Sequence, residues 1–105
     1  MPRSHPAELA ELVAAAAADL GIEAGLEGDA TTYSVDQTIV VSIVGATVEF
    51  RLRADVAAAA ARTAEACPSP RGPAWVAFSP TTFDRFTRDR IEAWFEFAAR
   101  QAKGA

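Results

Sequence analysis

The chain has 105 residues, of which 50% are hydrophobic and 23% are charged, and its formal net charge is −4 at pH 7. This composition is typical of a globular protein and excludes the polar, highly charged chains that remain disordered. The length predicts a single domain over residues 1–105. No apolar run approaches the roughly 18 residues that span a bilayer, and the N-terminal segment lacks the apolar stretch of a signal peptide. We therefore expect a cytoplasmic protein that makes no contact with a membrane.

The first predicted element is an amphipathic helix from Pro6 to Leu20. Its apolar residues recur at the helical spacing i, i+3, i+4, i+7, i+8 and i+11, as Leu9, Leu12, Val13, Ala16, Ala17 and Leu20. Gly21 is placed to end the helix, because glycine adopts the left-handed conformation that follows many helices.

Three β-strands are predicted after a polar connection from Glu23 to Asp29. They cover Thr31 to Val35, Thr38 to Val44 and Thr47 to Leu52. The short turns between them predict an antiparallel meander, with the largely apolar second run as its central strand. An apolar residue such as Val40 on the outer face of that strand would need a covering partner.

The second half of the chain contributes two helices and one more strand. A helix is predicted from Ala54 or Asp55 to about Ala66, then a proline-rich loop and a strand from Ala74 to Phe78. A helical turn to Phe86 and a main helix from Thr87 to Lys103 follow. The predicted fold is α+β in the order αβββαβα: an antiparallel meander plus one further strand, with helices packed on one face.

Several motifs resemble a known family from Val48 onward. They are the run Glu49-Phe50-Arg51-Leu52-Arg53, the Pro-Arg-Gly loop, the run Ala74-Trp75-Val76-Ala77-Phe78-Ser79-Pro80, and Ala93-Trp94-Phe95. In this order they resemble the TfoX N-terminal domain and the related MmcQ/YjbR-like proteins. The glycine-rich segment that begins the TfoX meander is replaced here by Ala30 to Tyr33. The resemblance implies a small α+β fold, no enzymatic activity, and a link to transcriptional regulation or DNA binding.

The residues themselves predict no catalytic, cofactor or metal site. The single histidine, His5, lies in the N-terminal segment, and the single cysteine, Cys67, has no second thiol nearby in sequence. Glu92 and Glu96 lie one helical turn apart, which is also the spacing of an ordinary solvated helix face. We expect a non-enzymatic protein without a bound cofactor.

Charge is distributed unevenly along the chain. Residues 1–50 hold one arginine against eight acids, whereas residues 51–105 hold nine basic residues against six acids. The basic residues would form a phosphate-facing strip if several shared one face, but Asp84, Asp89, Glu92 and Glu96 are interleaved among the helical ones. We therefore expect binding of duplex DNA to be weak, with Kd no tighter than roughly 10⁻⁴ to 10⁻⁶ M at physiological salt.

The aromatic residues are concentrated in one segment, since seven of the nine lie between Trp75 and Phe97. A helical projection around Ile91 gives one stripe that packs on the sheet and a second flank that the sheet does not cover. The flank carries Phe83, Phe86, Arg90 and Phe97, and Trp94 lies at the edge of the stripe that packs on the sheet. The predicted interface residues are Phe83, Phe86, Arg90, Trp94 and Phe97. They predict a homodimer with two-fold symmetry. The variant Phe97→Glu is then expected to be a folded monomer. A different protein partner is also open, as is the alternative that these aromatics belong to the core.

Overall fold

The computed structural model describes residues 6–104, and the side chains of residues 7–103. His5 therefore lies outside the described residues, as does the N-terminal segment. Within the described part, the elements are α1 (Pro6–Leu20), β1 (Ala24–Glu27), β2 (Ala30–Val35), β3 (Thr38–Val44), β4 (Thr47–Arg51), α2 (Ala54–Ala60), β5 (Ala66–Pro68), β6 (Trp75–Phe78) and α3 (Arg85–Gly104). The α+β class is confirmed, and the observed order αββββαββα contains two strands beyond the prediction.

The six strands form one antiparallel sheet in the order β1-β2-β3-β4-β6-β5. The first four strands are a meander, and β6 joins it beside β4. The predicted central position of β3 is confirmed, since two strands lie on one side of it and three on the other. None of the helices in residues 6–104 is long and apolar enough to cross a membrane.

The two additional strands are the edges of the sheet. β1 lies within the stretch predicted as a connection from Glu23 to Asp29, and all four of its residues are exposed. β5 begins at Ala66, where the second helix was predicted to end, because α2 already stops at Ala60. The hydroxyl of Thr63 donates to the carbonyl of Ala60 at 2.8 Å, and Glu65 adopts a left-handed φ of 68°. Together these features turn the chain out of the helix and into the sheet, against its helical propensity.

The helices α1 and α3 pack against each other and on the sheet. Leu9 of α1, Phe50 of β4 and Phe95 of α3 are fully buried in one core. Phe95 meets the ring of Tyr33 at a centroid distance of 5.4 Å in an edge-to-face arrangement. α2 lies beside β5 and β6 and adds Ala57 to the same core.

Val40 belongs to that core instead of needing a cover on the outer face. The pairing register shifts between Tyr33 and Ser34, whose partners on β3 are Val41 and Ile39, so Val40 is left without a partner in the ladder. Such a bulge interrupts the alternation of a strand and redirects a side chain. Val40 is consequently fully buried, and the prediction that it would lie on the outer face is wrong.

The turn between β2 and β3 places two non-glycine residues in the left-handed region. Asp36 has φ 51° and Gln37 has φ 68°, as a two-residue primed turn requires. Because glycine adopts this conformation without steric cost, we expect Gln37→Gly to raise the free energy of unfolding by about 0.5–1 kcal/mol. Urea denaturation monitored by tryptophan fluorescence would measure the change.

Gly45, in the next turn, provides the matched control. Its φ is 58°, and a Cβ added at this position would meet nothing within 4 Å, so only the backbone conformation opposes a side chain. Gly45→Ala is therefore expected to lower stability by about 1 kcal/mol. Equal stability of both variants and the wild type would contradict the strain assigned to these turns.

Candidate interaction surface

The geometry of the aromatic segment depends on where α3 begins. The carboxylate of Asp84 accepts a hydrogen bond from the backbone amide of Thr87 at 3.0 Å, as a helix N-cap does. This bond holds the pKa of Asp84 below its usual value. The Thr87 hydroxyl donates to the carbonyl of Thr82 at 2.7 Å. The predicted break before Thr87 is therefore wrong, and one continuous helix begins at Arg85.

Phe83 precedes that helix, so the helical projection used for it does not apply. Its half-buried side chain lines a cleft with Glu8, Glu11 and Leu12 of α1 and with Arg88 of α3. Of the five residues predicted for the interface, Phe83 thus lies in the contact region between α1 and α3. The structure does not bring it to the flank that carries Phe86.

Arg90 and Trp94 lie together at the edge of the core. The Trp94 ring meets Phe50 and Phe78 edge-to-face, at centroid distances of 5.7 and 5.4 Å. The Arg90 guanidinium lies 5.5 Å from the Phe78 ring centroid and 5.8 Å from that of Trp94. These contacts pack the partly buried Trp94 against the core and hold Arg90 beside it, because a cation is attracted to an aromatic face at such distances.

Phe86 and Phe97 differ in exposure although they share a side of the helix. Phe86 is 73% exposed, whereas Phe97 is half-buried against the hydrophobic core. α1 leaves Phe86 exposed, and Arg88 and Glu92, which line the clefts between α1 and α3, project roughly 120–160° around the helix from it. The predicted uncovered flank is therefore present at Phe86 and only partly present at Phe97.

Further exposed residues of α3 lie on the same side of the helix as Phe86. Ala93 is exposed, and the Arg100 side chain is 77% exposed while pairing with Glu96 at 2.8 Å. We call the residues that follow one another at spacings of four and three along this side the α3 stripe: Phe86, Arg90, Ala93, Phe97 and Arg100. Ala93 and Arg100 were not among the predicted interface residues. The 4-3-4-3 spacing of the five residues is visible in the sequence and is the signal that would have identified these two.

The face of the sheet opposite α1 and α3 carries a polar cluster, which we call the outer-face network: Ser42, Glu49, Ser69 and Arg71. Arg71 Nε lies 2.9 Å from Glu49 Oε1, and Arg71 Nη2 lies 3.2 Å from Ser42 Oγ. The Ser69 hydroxyl donates to Glu49 Oε2 at 2.6 Å. Arg71 also lies 5.0 Å from the centroid of the Trp75 ring. The network ties the proline-rich loop to the sheet, so Arg71 serves the fold and does not join a phosphate-facing strip.

Three clefts in the described part of the chain are small and open to solvent. Their volumes are near 200, 270 and 240 Å³, below the roughly 300–1,000 Å³ of ordinary small-molecule pockets. The first lies between α1 and α3 and is lined by Asp19, Glu92 and Glu96, which include the predicted carboxylate pair. Among residues 6–104, no group of three or more potential ligands is arranged to hold a metal ion. Cys67 is exposed on β5, the edge strand that begins where the second helix was predicted to end.

The exposed aromatic and the arginines of the α3 stripe are therefore the best candidate for a functional surface. Comparison with protein-family models, with curated proteins and with solved structures finds no significant match for this chain.

Proposed function

We propose that this chain is a non-enzymatic cytoplasmic interaction domain that associates with a second copy of itself through the α3 stripe. The observation that carries the proposal is the exposure of Phe86 on the side of α3 that α1 leaves uncovered. A single exposed apolar residue is ordinary on a protein surface. Here, however, the exposed phenylalanine belongs to a stripe with a second phenylalanine and two arginines.

The composition of the α3 stripe supports this function. Phenylalanine and arginine are enriched in protein interfaces relative to the remaining surface. Arginine is also among the residues that contribute most to binding energy. Phe97 packs partly against the core and Arg90 against the Trp94 ring, so covering them costs less side-chain entropy than covering freely rotating side chains.

Phe86→Glu is expected to abolish self-association while leaving the fold intact, because it places a charge in the interface and disturbs no buried contact. Sedimentation velocity would show wild-type dimer and variant monomer at about 100 µM, a concentration that populates weak interfaces. Leu26→Glu is the matched control, since Leu26 is 84% exposed on β1, away from α3. It should leave the dimer unchanged.

A monomeric wild-type protein at that concentration would overturn the proposed self-association. Phe97→Glu, which the sequence suggested as the test, changes both the interface and the fold, because Phe97 packs partly against the core. Its unfolding would report on the core and would not bear on the interface.

DNA binding is the second candidate, favoured by arginines that make no ion pair with any residue in the described part of the chain. These are Arg51, Arg62, Arg85, Arg88 and Arg90. The TfoX-like resemblance of the sequence supports the same direction. We expect only weak binding, because the net charge is −4. A submicromolar complex with duplex DNA in a mobility-shift titration at physiological salt would make this candidate the better one.

A further inference from the structure

The α3 stripe has the order Phe, Arg, Ala, Phe, Arg, which is complementary to itself when reversed. We propose that α3 pairs antiparallel with α3 of a second copy about a two-fold axis beside Ala93. Phe86 then faces Arg100 of the partner subunit, and Arg90 faces Phe97 of the partner subunit. This inference rests on the proposed self-association and adds the register and the chemistry of the interface.

The spacing of the stripe suits such a helix pair. Residues that alternate at steps of four and three average 3.5 per turn, which is the repeat that keeps a seam facing a partner helix. At a rise of 1.5 Å per residue, the stripe extends over roughly 21 Å between Phe86 and Arg100. The alanine at its centre permits close approach of the two helices, where a larger side chain would hold them apart.

The arrangement of charge decides the direction of pairing. A parallel pair would place Arg90 against Arg90 of the partner subunit, and Arg100 against its own counterpart, so that like charges meet. An antiparallel pair instead places each arginine beside an aromatic ring, an arrangement that is attractive within about 6 Å of the ring centroid. Under a two-fold axis the same surface of both copies forms the interface, so each contact between a ring and an arginine occurs twice.

Arg90 is already held in a position that fits this role. Its side chain is half-buried, with the guanidinium 5.5 Å from the Phe78 ring centroid and 5.8 Å from that of Trp94. A phenylalanine of the second copy would cover a cation that the first copy has partly desolvated. Arg100 donates a hydrogen bond of 2.8 Å to Glu96, one turn earlier on the same helix. The partner ring then contacts an arginine whose charge is partly balanced.

Disulfide trapping at the axis tests the register. Ala93→Cys, in a Cys67→Ser background, should form a cross-linked dimer under mild oxidation at about 100 µM protein, because paired thiols require Cα atoms within roughly 7 Å. Ala59→Cys, at an exposed position on α2, is the matched control and should remain uncross-linked. A protein that sediments as a dimer but fails to cross-link at position 93 would overturn this register alone. A monomer in sedimentation would overturn the self-association as well.

Exchanging the two residues of one facing pair, Phe86 and Arg100, tests whether a ring and a cation face each other in the interface. Phe86→Arg should weaken the dimer at least tenfold, since the introduced arginine faces Arg100 of the partner subunit. Adding Arg100→Phe to the same chain should restore affinity to within about threefold, because a ring and a cation again face each other. A double variant that stays as weak as Phe86→Arg would contradict the proposed facing pairs, whichever partner surface α3 contacts.

Discussion

Phe50→Ala is expected to lower the free energy of unfolding by about 3–5 kcal/mol, which is a large part of the 5–15 kcal/mol that holds a domain folded. Phe50 is fully buried on β4, at the centre of the sheet. Its ring meets Trp94 edge-to-face at 5.7 Å and Phe95 at 6.4 Å. Truncation therefore leaves a cavity and removes two ring contacts that join the sheet to α3.

Phe86→Ala is the matched control for this truncation, since the same atoms are removed from a side chain that is 73% exposed. Its stability should change by less than about 0.5 kcal/mol. Urea denaturation at about 1 µM protein separates folding from self-association, because dimerisation adds to apparent stability at higher concentration. Phe50→Leu should lose about half as much as Phe50→Ala. A cost below about 1 kcal/mol for Phe50→Ala would show that the core does not depend on this contact.

The elements that the sequence predicted correctly are those in which local pattern and final burial agree. The alternation along Thr47–Arg51 identified β4, and the helical spacing of apolar residues identified α1 with both its ends. The strands β1 and β5 lack any such pattern. β1 is exposed along its whole length, and its strand conformation comes from pairing with β2. β5 follows a run of alanines whose helical propensity is overridden by the turn at Glu65.

The candidate surface could be predicted only in part, because helix geometry indicates which side chains the sheet leaves uncovered but does not indicate tertiary contacts. The exposure of Phe86 followed from helix geometry, because the sheet covers only one side of α3. Trp94 packs on Phe78 of the sheet, as its place at the edge of the sheet-packing stripe indicated, whereas the position of Phe83 depends on its tertiary contact with α1. Periodicity within one segment carries no information on such contacts. The outer-face network was equally inaccessible, since Ser42 and Arg71 are 29 residues apart in the chain.

Glu49→Ala is expected to cost about 2–3 kcal/mol and to release the proline-rich loop from the sheet. The Glu49 side chain is 15% exposed and accepts hydrogen bonds from both Ser69 and Arg71. Hydrogen bonds to a charged group contribute about 1.5–3 kcal/mol, and removal of Glu49 leaves Arg71 with only its longer contact to Glu27, at 3.9 Å. Arg53, whose bond to Asp55 is exposed, provides a control: Arg53→Ala removes an ion pair that exposed geometry makes weak.

The two roles of Glu49, stabilising the fold and fixing the loop, are separated by a double-mutant cycle and by proteolysis. Replacing Glu49 and Arg71 together by apolar residues of similar size should cost less than the sum of the single changes, because neither charge is then left unpaired. In Glu49→Ala, trypsin should cleave after Arg71 faster than in the wild type, since the loop is no longer held against the sheet. Glu49→Gln should lie between the two, because its amide still bonds Ser69 but carries no charge for Arg71. Unchanged cleavage in Glu49→Ala would mean that the prolines and the loop's own backbone hydrogen bonds order it without Glu49. Additivity in the cycle would mean that the 2.9 Å contact between Arg71 and Glu49 contributes nothing to folding.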